Sequence, residues 1–308
     1  MRGGPYGAIA LAVVSVSFAS IFITWSDSPP ITIALYRLGI ATAVIGAAIL
    51  VRSAVLHRAN TLVQLPRRDA AIMALIGAIL ATHFALWISS LKVQGESIAS
   101  SVVLVTSHPL LVGILSHYVL RERLNRWMAV GIVVGFSGVV SIALADYELR
   151  GSLLYADLLA FGGGVMAGFY FLLGRRVRQK IGLLDYAFVV YASATAVLFI
   201  YAIALGSSLT PVGDVRRELV LFTALALIPQ IGGHTLYNWA LRWVQAPVVS
   251  LSLVGEPVGS SLLAWAFLSQ IPTIGVAAGA GLALIGIYLT ALGQSSRTPD
   301  ILARRDVE

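Results

Sequence analysis

Seven ionisable side chains stand inside long apolar stretches of this chain: Arg37, His83, His108, His117, Asp157, His234 and Glu256. Such groups are expensive in hydrocarbon and are kept where they face a partner, a pathway or a water-filled cavity. Their types point to hydrogen bonding and proton exchange rather than to covalent chemistry. A histidine both donates and accepts, and titrates near a pKa of about 6.5, so it can hold a substrate carboxylate or carry a proton. Helical spacing puts Leu80, His83 and Trp87 on one face, and Gln230, His234 and Asn238 on another, with Tyr237 one step away. Two such stripes would line opposite walls of one cavity; the plainer alternative is that each histidine only bonds a neighbouring helix.

Glu256-Pro257 and His108-Pro109 also fall inside apolar stretches. Proline removes a backbone donor and frees a carbonyl one turn back, so bending is the first role expected of both pairs, and of Pro229 as a hinge. Glu256 is either a protonatable coupling group or a cap for another helix. Phe18, Phe22, Phe169 and Tyr170 are candidates for an aromatic wall; Trp25, Trp127 and Trp243 lie where interfacial belts occur. Ser97, Ser100, Ser101, Ser107, Ser250 and Ser252 suit bonds between helices or to a zwitterion. Arg37 is a candidate to bind an anion, but a salt bridge or snorkelling to the outer interface is the first expectation, and Asp157 is expected near an interface at a helix N-terminus.

The elements that must position these groups are membrane spans. Of 308 residues, 58% are hydrophobic and 11% charged, with mean hydropathy +0.88. A soluble domain carries about 25% charged residues, so this chain cannot cover a water-facing surface. A soluble enzyme, a coiled coil and a nucleic-acid binder are excluded. With no cysteine, so are disulfides, thiolate metal sites and cysteine nucleophiles. Apolar runs cover 6–26, 31–51, 69–91, 97–120, 127–145, 152–173, 185–206, 219–241, 246–268 and 273–293. Ten runs of this length predict an all-α polytopic membrane protein. The first is too long for a signal peptide's apolar core and has one basic flank, so it is read as a span. With the N-terminus in the cytoplasm, 16 Lys and Arg fall on the inner side and four on the outer, which satisfies the positive-inside rule and explains the net charge of +7. Both termini are then cytoplasmic.

The chain repeats itself. His83 recurs as His234, His108-Pro109 as Glu256-Pro257, Gly131 and Gly138 as Gly279 and Gly286, and Ala41-Thr42-Ala43-Val44 as Ala194-Thr195-Ala196-Val197. Each half holds five spans, an odd number, so the second must enter the membrane inverted. The division expected is 1–150 for the first repeat, 151–293 for the second and 294–308 for a basic cytoplasmic tail. Inverted repeats mark many secondary transporters, which bind substrate near the midplane between the repeats. Gly162, Gly163, Gly164 and Gly168, with Gly135 and Gly275, read as packing positions between helices.

Ala246-Pro247-Val248-Val249-Ser250, Gly255-Glu256-Pro257 and a Gly-spaced last helix, with Leu120-Arg121-Glu122-Arg123-Leu124 before the Gly-spaced helix of the first half, resemble the EamA-type members of the drug/metabolite transporter superfamily. His108 stands where the second half has Glu256, and Gln270 replaces the acid expected opposite Glu122. The resemblance implies a ten-helix fold of two inverted five-helix repeats, no catalytic residue, no cofactor and no metal. Among such families the chain is most similar to bacterial aromatic amino-acid exporters. That implies export of a small metabolite across the inner membrane by alternating access, through a cavity lined by spans 1, 3, 4, 6, 8 and 9. The expected substrate-binding set is His83, Trp87, Ser101, Tyr170, His234, Tyr237, Asn238, Phe18 and Phe22. Glu256, Pro257, His108, Pro109 and Pro229 are the coupling or gating set. The partners implied are a small-molecule substrate and the bilayer, without nucleic acid; the oligomeric state is left open, and a monomer is compatible with transport. Proton-coupled antiport of cationic drugs is the alternative within transporters. An intramembrane serine protease is the alternative outside them, from Gly135-Phe136-Ser137-Gly138 with His234 as base. Its counterpart in the repeat has Ile285 at the Ser137 position and keeps the glycine spacing, which favours packing.

Overall fold

In lipid a single segment can satisfy its own backbone only as a helix. The computed structural model describes residues 4–56, 65–108, 110–111, 125–149, 151–178, 180–240 and 255–295, and holds helices and no strand among them. Pro109, His117, Trp243, Ser250, Ser252, both motif segments 120–124 and 246–250, and nearly all of the tail lie outside the described residues.

Six helical stretches are long and apolar enough to cross a membrane: Gly7–Trp25, Pro30–Val55, Arg67–Leu91, Leu153–Gly174, Leu183–Ala204 and Val215–Ala240. Helices Arg126–Leu149 and Ile274–Ser295 form the fifth and tenth spans. The fourth and ninth are described in part, as Ile98–Val105 and Gly255–Leu268. The chain is therefore an all-α polytopic membrane protein of ten spans. The first span breaks at Phe18 into helices Gly4–Ser17 and Ala19–Trp25.

The packing of the spans is its own image when the two halves are exchanged. Span 3 packs on span 6 as span 8 packs on span 1; span 4 on 6 as 9 on 1; span 3 on 7 as 8 on 2. Spans 2 and 7, 4 and 9, and 5 and 10 pack on their own counterparts. Those counterparts run antiparallel. Thr32 donates to the Ser208 carbonyl (2.5 Å) at one end of spans 2 and 7, while Arg52 pairs with Asp185 (3.2 Å) at the other. The two repeats are thus inverted, and the residues that recur in sequence meet in space. The Thr42 and Thr195 hydroxyls lie 3.4 Å apart, with 153 positions between them.

Spans 5 and 10 make the most extensive contact between described helices. A Cβ added at Gly279 would lie 2.9 Å from the Gly138 carbonyl oxygen, and one at Gly138 would lie 2.6 Å from the Gly279 carbonyl oxygen. The glycines recur because each permits the other's backbone to approach.

Candidate functional site

The third span delivers its stripe as a wall. Leu80, His83 and Trp87 line a central cavity, together with Val16, Val105, Thr106, His108, Ala167, Tyr170, Phe171, His234, Tyr237 and Glu256. These come from spans 1, 3, 4, 6, 8 and 9. Both recurring pairs, His83 with His234 and His108 with Glu256, converge on it. Sequence offset alone carried no information about distance; inversion about one axis brings the pairs together.

His83 both lines the cavity and bonds a neighbouring helix. Its Nδ1 lies 2.8 Å from the Gly163 carbonyl oxygen, which can only accept, so Nδ1–H donates and the ring is anchored to span 6. In the neutral ring Nε2 then carries a lone pair, fitting it to accept from an ammonium rather than to grip a carboxylate. The glycine matters here: a Cβ at Gly163 would lie 3.3 Å from the His83 carbonyl oxygen and from Trp87. The His83 ring stacks on Trp87, centroids 6.1 Å apart, and the Trp87 indole N–H has no acceptor among the described residues. Opposite, His108 stacks on Phe171 at 5.1 Å and 20°. Phe171 was missed in the sequence, where Phe169 was the candidate. Phe169 is exposed on the outside of span 6 and Tyr170 is buried, a consequence of the 100° step between neighbours on a helix.

Other members of the expected binding set lie elsewhere. Phe18 and Phe22 are outside the cavity lining; they stack on each other at 5.8 Å, continue to Trp25 and end edge-on at Phe267. Ser101 joins spans 3 and 4 through Ser90, the hydroxyls 2.6 Å apart, and does not face the cavity. Asn238 sits behind the wall: its side-chain amide donates to the Tyr170 hydroxyl (3.1 Å) while its backbone carbonyl accepts from Arg178 (3.0 Å). Asp157, expected near an interface, is buried at 3% exposure. Pro257 is buried in the first turn of helix Gly255–Leu268, beside Glu256.

The eighth span departs most from the expected spacing. Pro229 has no N–H to give, and residues Ala226–Thr235 wind as a π-helix between α-helices Val215–Leu225 and Leu236–Ala240. His234 and Tyr237 turn to the cavity, and Gln230 turns away toward Arg37. Arg37 itself corrects the expectation of a snorkelling side chain. It has no exposed surface; Nε donates to Gln230 Oε1 (2.9 Å), and the guanidinium lies over the Phe84 ring, 4.1 Å from its centroid. Its position near the start of the second span gave no sign of this, because a partner 193 residues away decides it.

At one end of the spans, polar groups from both repeats are tied together. Glu218 has no exposed surface; its carboxylate accepts from Ser26 Oγ (2.5 Å) and from the Asp27 amide (2.8 Å). Lys92 donates to the Ser26 carbonyl, Arg217 to the Trp25 carbonyl (2.6 Å), and the Val212 amide to Ser28 Oγ (3.0 Å). Burial lowers the Lys92 ammonium pKa below the usual lysine range, against the opposing pull of Glu218 and Asp27.

Ser137, the serine of the protease-like motif, is exposed on span 5 and donates to the Val133 carbonyl one turn back (2.9 Å). Gly138 beside it faces span 10 and a Cβ at Gly135 would meet Leu110 of span 4, so the motif serves packing. Among the described residues no group of three His, Cys, Asp or Glu side chains is placed to hold a metal.

Comparison with known proteins agrees with this architecture. The EamA-like transporter family model matches twice, over residues 5–144 and 154–292. An uncharacterized transporter of Archaeoglobus fulgidus is 26% identical over 282 residues, covering 92% of this chain and 96% of the relative. The uncharacterized transporter YdfC of Bacillus subtilis is 24% identical over 271 residues, covering 86% and 80%. A solved crystal structure superposes with TM-score 0.64 at 21% identity, covering 95% of this chain and 98% of that one, a likeness of fold. Two inverted five-span halves, a cavity between them and a family match over each half make this chain a member of the EamA-like transporter family, within the drug/metabolite transporter superfamily.

Proposed function

We propose that this transporter exports small metabolites, aromatic or hydrophobic amino acids first among them, from a bacterial cytoplasm across the inner membrane by alternating access. The observation that carries the reading is the convergence of His83, His234, His108 and Glu256, two repeat-related pairs, on one aromatic-walled cavity between the repeats. The rings of Trp87, Phe171, Tyr170 and Tyr237 suit an aromatic side chain, each well-placed ring pair adding about 0.5–1.5 kcal/mol. The repeats, 1–150 and 151–293, rock against each other so that the cavity opens to each side in turn. Both termini, including the tail 294–308, lie in the cytoplasm, in keeping with the 16 basic residues on that side against four. The Glu218 network then closes the periplasmic end.

The test is uptake of labelled phenylalanine, tryptophan, threonine and methionine into proteoliposomes, with and without a pH gradient. Saturable uptake without a gradient is expected. His83→Ala removes a stacking ring and an acceptor, and uptake should fall about tenfold. Uptake that appears only with a proton gradient would make the carrier an antiporter, with Glu256 as the proton site. Transport of cationic drugs in place of all four amino acids would overturn the reading.

A further inference from the structure

Arg37 is fully buried and forms no ion pair among the described residues. Nη1 and Nη2 have no hydrogen-bond partner among the described residues, and neither has the Gln230 amide nitrogen beside them. A buried unpaired guanidinium is destabilising by several kcal/mol, so a site that holds one is built around an anion still to arrive. The guanidinium lies one ring behind the cavity wall. Phe84 covers it, and the edge of Phe84 meets His234 at 5.6 Å, centroid to centroid. His234 lines the cavity, so two rings, Phe84 and His234, stand between the guanidinium and the cavity space.

The opposite charge lies on the other repeat. Glu256 lines the cavity from span 9, and it and Arg37, on span 2, act on each other electrostatically without forming an ion pair among the described residues. The His83 Nε2 lone pair is a further acceptor on the same cavity.

We infer that Arg37 and Glu256 are the two poles of a zwitterion site: Arg37, with Gln230, takes the substrate carboxylate once Phe84, the ring over it, and His234 in front of that ring swing aside, and Glu256, with His83, takes the ammonium. The inference rests on the amino-acid reading above and deepens it. Either charge alone would leave the other pole buried and unpaired, so the site rejects amides, amines and simple acids that share the side chain. Rejection of this kind comes from the unpaired group rather than from shape.

The experiment is competition against labelled phenylalanine on the purified full chain in nanodiscs. The competitors are phenylalanine, phenylalaninamide (ammonium only) and 3-phenylpropionate (carboxylate only). On the wild type, phenylalanine should bind about 30-fold or more tighter than either analogue, the fold-change expected for losing one partner of a buried charge pair. Arg37→Gln should bring phenylalanine down to the level of its amide and leave the amide unchanged; Glu256→Gln should do the same with respect to 3-phenylpropionate. An amide that competes as well as phenylalanine on the wild type would overturn the inference, whatever the variants do. Should Arg37→Gln not fold, that wild-type comparison still decides. Absence of phenylalanine binding to folded wild type is the different failure: the amino-acid reading falls, and the two poles with it.

Discussion

Glu218→Ala is expected to expose the central cavity to the outer side about a hundredfold more often. The carboxylate receives the Ser26 hydroxyl and the Asp27 amide of the loop between spans 1 and 2, and does so from the start of span 8, with no exposed surface of its own. Each hydrogen bond to a buried charge contributes roughly 1.5–3 kcal/mol, and alanine leaves both donors without an acceptor; about 3 kcal/mol on the open–closed equilibrium is about a hundredfold in population. The Arg217–Asp27 pair nearby (3.1 Å) is half-exposed on both sides, so breaking it with Asp27→Asn should shift the equilibrium less than threefold. The chain has no cysteine, so Ala167→Cys, at the cavity wall, supplies a single thiol. Its reaction rate with a membrane-impermeant maleimide in right-side-out vesicles reads the open fraction directly. A rate in Glu218→Ala within twofold of the parent would show that the network does not hold the outer end. Glu218→Gln keeps an acceptor and loses the charge, and should fall between the two.

How much of this was legible beforehand depended on whether a residue answers to its own helix or to a distant one. Span number and inversion follow from hydropathy and the odd count of runs in each half, quantities summed over many residues. The wall Leu80, His83, Trp87 follows from a regular α-helical period, which span 3 keeps. The same arithmetic fails for Gln230 and Asn238, because Pro229 and the π-helical winding after it change the period midway. Arg37 fails for another reason. Near a span end an arginine reaches water easily, and only the arrival of Gln230 and Phe84 from other spans makes burial the outcome. Phe18 and Phe22, expected at the cavity, do not line it; beyond the break in the first span at Phe18 their rings run toward Trp25 and Phe267. Repeats were the strongest signal of all: Thr42 with Thr195, Gly138 with Gly279 and His108 with Glu256 each share an interface or a cavity.

Gly286→Leu is expected to abolish recovery of monodisperse protein, while Gly281→Leu on the same helix leaves it intact. A Cβ at Gly286 would lie 2.6 Å from the Gly131 carbonyl oxygen and closer still to the Gly135 backbone, whereas one at Gly281 meets nothing within 4 Å. Overpacking is commonly relieved by rotating a neighbouring side chain and is then destabilising by about 1–3 kcal/mol. Here the neighbour is main chain, on a helix clamped again at Gly138 and Gly279, so relief requires the two spans to part along their length. At the lipid-facing Gly281, leucine should if anything raise helix stability by roughly 1 kcal/mol. Size-exclusion profiles and melting midpoints of the two variants test this, and equal behaviour would mean that spans 5 and 10 are not locked by their glycines. Gly286→Ala separates scaffold from site. Gly286 belongs to the 5–10 contact and lines no part of the cavity, so the midpoint should fall while phenylalanine affinity per folded molecule holds. Arg37→Gln should do the reverse at its conservative limit: affinity lost, with the 5–10 clamp untouched. A fold built from repeats clamped along one pair of helices can then vary its binding poles without loosening the clamp.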